Sequence, residues 1–541
     1  MKFILPEAAK GFKFDLLYTI DMNDFDVEML LPMLFHMVRT KGNPVGKATD
    51  PLKFDEYFDR LIQHNLVDGF GDTRSRRLLR RWVRTSVVKM GRVGRNARGE
   101  QILFVYPRTM LAYKAGLPKD VTRLRGTHRF LYHILLEEMK DPVKLEQLFT
   151  SSFGEGVVFG SGPQYDGRYD GTSALDLETL LSLCFLDELK PAGVGHRSQG
   201  EGKSGPRLIA QSSAFARDVL ALLRCYREEI STSLLIGMLA GLINLHMFVY
   251  TMRLVRWVIG VTEQQNGGRL HKFYVDATGE RQSYSDELAR SCVESDLGEL
   301  EKYMRASLRI KTLDRYVRSS AKLKTQLPLG GSAGEYLRQL VLLQHSSEVE
   351  SKSELEFEDV LKLNRPDNEE DQMTDAAQFL DGLASQQFEW SFDRMLEVIF
   401  KAHRDSALRN LGGWFYSVAG FNRSYGLMAG NMRGLRVARY TLSNELLSIL
   451  VHVALATAGN DGKPAGRMSL RQFLRTLEER YGILIDKPPA FDTSVEGAEA
   501  ARRNLVAFKT RLRQIGVFRS LSDDFGAQYI QRPATTKVTS C

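Results

Sequence analysis

From Ile230 to Met252 the chain runs for 23 residues without a formal charge. A stretch of that length has two stable homes: across a bilayer, or buried around its whole circumference in a helical core. Gly237 and Gly241, at GxxxG spacing, suit close helix packing in either home. Asn244, His246 and the Ser231-Thr232-Ser233 cluster lower its hydropathy to the borderline for a span, and no second segment of this kind accompanies it. A buried helix in a large helical domain is therefore the expectation, and no membrane partner is expected. The surrounding mass is available: 541 residues, 43% hydrophobic and 26% charged, with only 16 prolines, have the composition of folded globular protein. Cys184, Cys225, Cys292 and Cys541 form no CxxC pair, which argues against a disulfide framework or a cysteine zinc site and fits a reducing cytoplasm. Met1 to Leu5 is cut short by Pro6 and Glu7, too early for a signal-peptide core, so secretion is not expected.

The net charge of +8 conceals an uneven distribution. Between Arg74 and Arg98 stand ten basic residues (Arg74, Arg76, Arg77, Arg80, Arg81, Arg84, Lys89, Arg92, Arg95, Arg98) and no acid. Residues 348 to 375 hold eleven acids against Lys352, Lys362 and Arg365, a block of −8. A cationic stripe and an anionic segment thus share one chain, and the second is a candidate lid for the first.

Along the chain the N-terminal region reads as helix, helix, hairpin. An apolar helix opens at Asp24-Phe25-Asp26, a second fits Phe54 to Leu66, and Thr73 is a candidate N-cap for a third reaching Arg84. In that third helix Leu78, Leu79, Trp82 and Val83 follow helical spacing while arginines take the rest of the circumference. β-branched Thr85, Val87 and Val88, a polar Gly94-to-Gly99 tip and Gln101 to Tyr106 then read as a hairpin. Helix, basic helix and basic hairpin is the order of a winged helix-turn-helix. The C-terminal part repeats the logic: an apolar helix Leu442 to Ala456, an amphipathic helix Ser469 to Tyr481, a basic helix Ala498 to Gln514, then Gly516 to Leu521 and Ala527 to Ile530 as a hairpin. The predicted fold is mainly α with small β-hairpins (α+β), multi-domain, with winged helix-turn-helix modules near both termini around a helical middle. The boundaries are 1–120, 121–345, an acidic linker at 346–375, and 376–541.

Duplex DNA presents closely spaced phosphates, and arginines on one helix and the adjoining wing neutralise them with release of counterions. The alternative for the stripe is a solvated face or a dock for an acidic surface, including this chain's own 348–375 block. Enzyme motifs are weaker. His403-Arg404-Asp405 through Asn410 has the spacing of a kinase catalytic loop and Asp524-Phe525-Gly526 spells its magnesium triplet, but over a hundred residues separate them and no lysine-bearing strand follows Gly154 to Gly160. Gly202-Lys203-Ser204 resembles the end of a phosphate loop without its first glycine or preceding strand. Glu188-Leu189-Lys190 and Pro366-Asp367 are fragments of a metal-nuclease pattern in the wrong order. The ten histidines include no HExxH, and His246 on the apolar helix reads as a satisfied core residue. No catalytic residue, metal ligand or cofactor is assigned.

Phe473-Leu474, Glu479 through Asp486, Asn504, Leu512 to Gly516 and Leu521-Ser522-Asp523 together resemble the C-terminal winged-helix segment of accessory proteins from methylation-associated anti-phage defence systems. The resemblance covers about a fifth of the chain and rests on packing and turn residues, so it carries over no active site. It implies a DNA-engaging or scaffolding subunit of an assembly with a methyltransferase, ATPases and nucleases.

The sequence therefore predicts a double-stranded-DNA-binding subunit of a bacterial defence complex. Arg76, Arg77, Arg80, Arg81 and Arg84 from the helix and Lys89, Arg92, Arg95 and Arg98 from the wing would clamp phosphates, with Arg502, Arg503, Arg511 and Arg513 as a second contact. Two other classes remain open: a scaffold that docks proteins through its basic and acidic segments, and a nuclease-type enzyme with a divergent site.

Overall fold

The computed structural model describes residues 3–43, 53–64, 67–91, 101–115, 126–160, 167–189, 211–263, 270–328, 332–365, 374–431, 438–460, 462–520 and 528–532. These are mainly helical, with small sheets of two or three strands. Buried apolar side chains from Leu5 to Ile530 form one contiguous cluster.

The N-terminal elements are α1 (Val27–Arg39), α2 (Phe54–Gln63), α3 (Thr73–Trp82), β1 (Val88–Met90) and β2 (Ile102–Val105), with a π-helical turn over Val83–Val87 between α3 and β1. Helix α3 starts one residue earlier than its composition suggests. Its N-cap is Asp72, not Thr73, because the carboxylate takes the Arg74 and Ser75 amides at 2.8 and 3.1 Å. β1 and β2 pair antiparallel, and Lys53, just before α2, makes an antiparallel bridge to Gln101, just before β2.

Next come α4 (Thr127–Met139), α5 (Pro142–Phe153), the hairpin β3 (Val157–Phe159) and β4 (Gly167–Tyr169), α6 (Leu177–Asp187), α7 (Gln211–Tyr226) and α8 (Thr232–Thr262). Helix α8 contains the uncharged segment. By length and composition alone it could cross a membrane, yet it is the buried axis of the protein, with Leu239, Leu242, Ile243 and Phe248 all at 0% exposure. His246 is satisfied as expected: its Nε2 lies 2.8 Å from Asp218 of α7.

The middle continues through β5 (Phe273–Tyr274), α9 (Tyr284–Arg318), α10 (Ala321–Lys324), α11 (Ala333–Leu342), α12 (Ser347–Asn364), α13 (Asp375–Ser385) and α14 (Ser391–Val418). Over Ser347–Asn364 the acidic segment is a packed helix rather than a linker, since Val349, Ser353, Phe357, Val360 and Asn364 recur at helical spacing and are all buried. Its carboxylates are held locally: Glu348 by Lys322, Glu350 by the Ser391 amide, Glu354 by Arg394 and Glu356 by Arg315. Asp367, Glu369, Glu370 and Asp371 lie outside the described residues. His403 sits within α14 with its Nε2 2.9 Å from the Ala9 carbonyl, a structural contact and not a catalytic loop.

The C-terminal elements are β6 (Met428–Ala429), β7 (Arg439–Tyr440), α15 (Asn444–Ala458), β8 (Arg467–Ser469), α16 (Leu470–Thr476), β9 (Ile483–Leu484), α17 (Val495–Gln514), β10 (Phe518–Ser520) and β11 (Gln528–Gln531). A π-helical turn over Leu477–Tyr481 extends α16. The three-stranded sheet has the order β10–β11–β8, both pairs antiparallel. This repeats the N-terminal plan: a strand position just before the first helix pairs with the second strand of the hairpin that follows the next helix, Lys53 with Gln101 there and β8 with β11 here.

Two polar clusters and a parallel pair tie this end to the middle. β9 pairs with β5, and Asp218, fully buried, accepts from Tyr481 at 2.7 Å and from Arg480 at 2.6 Å. Asn504 of α17 donates to the Val275 and Ile485 carbonyls at 2.9 and 3.0 Å and accepts the Ala277 amide at 2.7 Å. Buried groups satisfied so completely fix a single docking geometry.

The GxxxG pair of α8 is asymmetric. A Cβ at Gly241 would lie 2.6 Å from Ile449 Cδ1 of α15 and 3.1 Å from Tyr425 Cβ, whereas at Gly237 the nearest atom is Glu445 Oε1 at 3.9 Å. Gly241→Leu is thus expected to cost about 2 kcal/mol by overpacking, and Gly237→Leu much less. Chemical denaturation of the two variants side by side checks this.

Candidate nucleic-acid interface

The arginines of α3 and of the turn that follows it divide into two sets by their partners. Arg76, Arg80 and Arg84, four apart, lie on the side facing α2. Arg76 pairs with Asp59 and Arg80 with Asp55; the Arg80 guanidinium also stands 5.2 Å from the Phe54 ring, and Arg84 stands 4.8 Å from the same ring. These three fasten α3 to α2 while Leu79 and Val83 enter the core. Ion pairs this exposed contribute little stability.

Arg74, Arg77 and Arg81 lie roughly a quarter turn further round the helix on average. All three are exposed, as is Lys89 on β1, and none of the four has an ion pair or side-chain hydrogen bond among the described residues. Lys89 lies opposite Phe104 in the hairpin register. Three arginines without an ion pair among the described residues therefore project from the helix, and Lys89, which interacts electrostatically with Glu28 of α1, projects from the strand it leads into. Arg92, Arg95 and Arg98, assigned to the wing from sequence, lie outside the described residues. Among the described residues the acids that pair with the stripe are Asp55 and Asp59 of α2, with Glu28 of α1 near Lys89, not those of α12.

On α17 the four assigned arginines also part company. Arg511 turns inward: it donates to the Leu442 carbonyl and, at 2.9 Å, to Asn444 Oδ1, and burial lowers its pKa. It anchors α17 to the start of α15. Arg503 pairs with Glu499 one turn earlier. Arg502 and Arg513 are exposed, with the Arg513 guanidinium 5.1 Å from the Phe518 ring. The segment 521–527 between β10 and β11, with Asp524-Phe525-Gly526, lies outside the described residues, as does Gly202-Lys203-Ser204.

Sequence reasoning missed Arg74 as a member of the outward set. Its signal was available, since Arg74, Arg77 and Arg81 are spaced three and four apart on one face. Among the described residues no group of three or more His, Cys, Asp or Glu is placed to hold a metal ion.

A mainly helical protein with a basic helix and hairpin at each end fits the class implied by the C-terminal resemblance, a component of a methylation-associated defence system. Residues 7–533 match the model of the family described as methylation-associated defense system protein MAD7, and the chain belongs to that family. The match extends over nearly the whole chain, well beyond the C-terminal fifth that first suggested it. Comparison with curated proteins and with solved structures finds no match. Membership implies other components of the system as partners.

Proposed function

We propose that this chain is the DNA-engaging, cytoplasmic subunit of its defence system, gripping duplex phosphates through two winged-helix modules. The observation that carries the reading is the outward set Arg74, Arg77 and Arg81, exposed and without an ion pair or side-chain hydrogen bond among the described residues, together with exposed Lys89 on β1. Exposed cations on a short helix and its adjoining strand suit a polyanion with closely spaced charges. The order of elements supports the winged-helix reading: in each module a strand position, two helices and a hairpin follow one another, and the first strand position pairs with the last strand. Helices α3 and α17 then take the place of recognition helices, with Arg502 and Arg513 as the second, weaker contact. Partner subunits supply the chemistry.

The test is direct. The full-length chain is expected to bind a mixed-sequence duplex at low salt, and Arg77→Gln with Arg81→Gln to weaken that binding by about tenfold or more. Absence of binding at low salt, or equal binding by the double variant, sinks the proposal and favours a scaffold that uses the same face for an acidic protein.

A further inference from the structure

Helices α3 and α17 present the same chemical pattern at the same spacing. On α3 Arg74, Leu78 and Arg81 stand at i, i+4 and i+7; on α17 Arg502, Val506 and Lys509 do. Positions so spaced share one helix face. At the centre of each pattern is a large aliphatic side chain turned to water, Leu78 at 58% exposure and Val506 at 60%. Neither belongs to the buried cluster that holds its helix in place, which on α3 uses Leu79 and Val83 and on α17 uses Ala501, Phe508 and Leu512. A single exposed aliphatic is ordinary. The same residue class between two cations at the same offsets, on helices that occupy the same place in two equivalent modules, asks for a common ligand.

That ligand must be polyanionic at its edges and apolar at one point between them. In the major groove the apolar group offered by a base pair is the 5-methyl of a pyrimidine, carried by thymine and by 5-methylcytosine and missing from uracil and cytosine. We propose that Leu78 and Val506 are specificity residues that rest on pyrimidine 5-methyl groups, while the flanking arginines Arg74, Arg81 and Arg502 hold the phosphates beside them. The inference rests on the DNA-binding reading above and adds to it what feature of the duplex is read. Burying one methyl group against an aliphatic side chain changes affinity by about fourfold. That effect is small beside the electrostatic term and independent of it, because no charge is involved.

Fluorescence anisotropy with the full-length chain at one fixed salt concentration tests this on two matched pairs: alternating dA·dT against dA·dU, and alternating dG·dC against its 5-methylcytosine form. The methylated member of at least one pair is expected to bind about fourfold tighter. A preference confined to the first pair assigns thymine as the source and one confined to the second assigns 5-methylcytosine. Leu78→Ala combined with Val506→Ala is expected to bring the ratio to about one while leaving the salt dependence unchanged; both side chains face solvent, so the core is untouched. Equal affinity within both pairs, or a ratio that survives in the double variant, overturns the inference while leaving DNA binding intact. Failure to bind any of the four duplexes at low salt overturns the DNA-binding reading itself, so the two failures are distinct.

Discussion

Replacing Gly482 by alanine is expected to destabilise the protein by about 3 kcal/mol or more. Gly482 ends the π-helical turn of Leu477–Tyr481 at φ +78°, and a Cβ there would lie 1.9 Å from the backbone oxygen of His271. The left-handed backbone alone costs a side chain about 1 kcal/mol. The larger part comes from the strand approach, because the Gly482 carbonyl accepts the Phe273 amide at 2.9 Å and begins the β5–β9 pairing. Moving the two segments apart breaks that pairing and disturbs Arg480 and Tyr481, the last two residues of the turn, which bind Asp218. Gly516→Ala is the matched control: its φ is +75°, yet no atom lies within 4 Å of the added Cβ, so only the backbone cost applies. Denaturation midpoints of the two variants separate conformation from contact. Equal losses would refute the claim that β5 and β9 lock the C-terminal module to the helical middle.

The second large effect concerns binding. Arg74→Gln, Arg77→Gln and Arg81→Gln together are expected to weaken duplex affinity by about 100-fold near 100 mM salt, since each charge-assisted phosphate contact is worth roughly a factor of ten and neighbouring contacts do not add fully. Folding is expected to be unaffected, as all three side chains are exposed and have no ion pair or side-chain hydrogen bond among the described residues. Arg76→Gln with Arg80→Gln is expected to act the other way round. It loosens α3 from α2 by removing the pairs with Asp59 and Asp55, and it changes DNA affinity little because those charges are already compensated.

Much of the fold was legible because hydrophobic period and turn chemistry are local. The burial of α8 followed from its lack of charge together with the surrounding globular composition, and each basic helix followed by a hairpin could be read from arginine spacing and β-branched runs. In the acidic segment composition masked the period: eleven acids suggested a linker, while Val349, Phe357 and Val360 already marked the buried stripe of α12. The division of the α3 arginines was half legible. Helical phase separates Arg74 and Arg81 from Arg76 and Arg80 but places Arg77 beside Arg84, and which set faces inward depends on Asp55 and Asp59, carboxylates on a helix whose packing angle the sequence does not state. Arg511 was misread as a phosphate contact for the same reason. Its partners, the Leu442 carbonyl and Asn444, are nearly seventy residues away in the chain.

The central claim is that the outward arginines of α3 meet phosphates, and the salt dependence of duplex binding tests it most directly. Each phosphate neutralised contributes about 0.9 to the slope of log affinity against log salt. The full-length chain is predicted to show a steep negative slope, the Arg74/Arg77/Arg81 triple variant a slope shallower by about 2 to 3, and the Arg76/Arg80 double variant the slope of the unaltered chain. An unchanged slope in the triple variant would contradict the account.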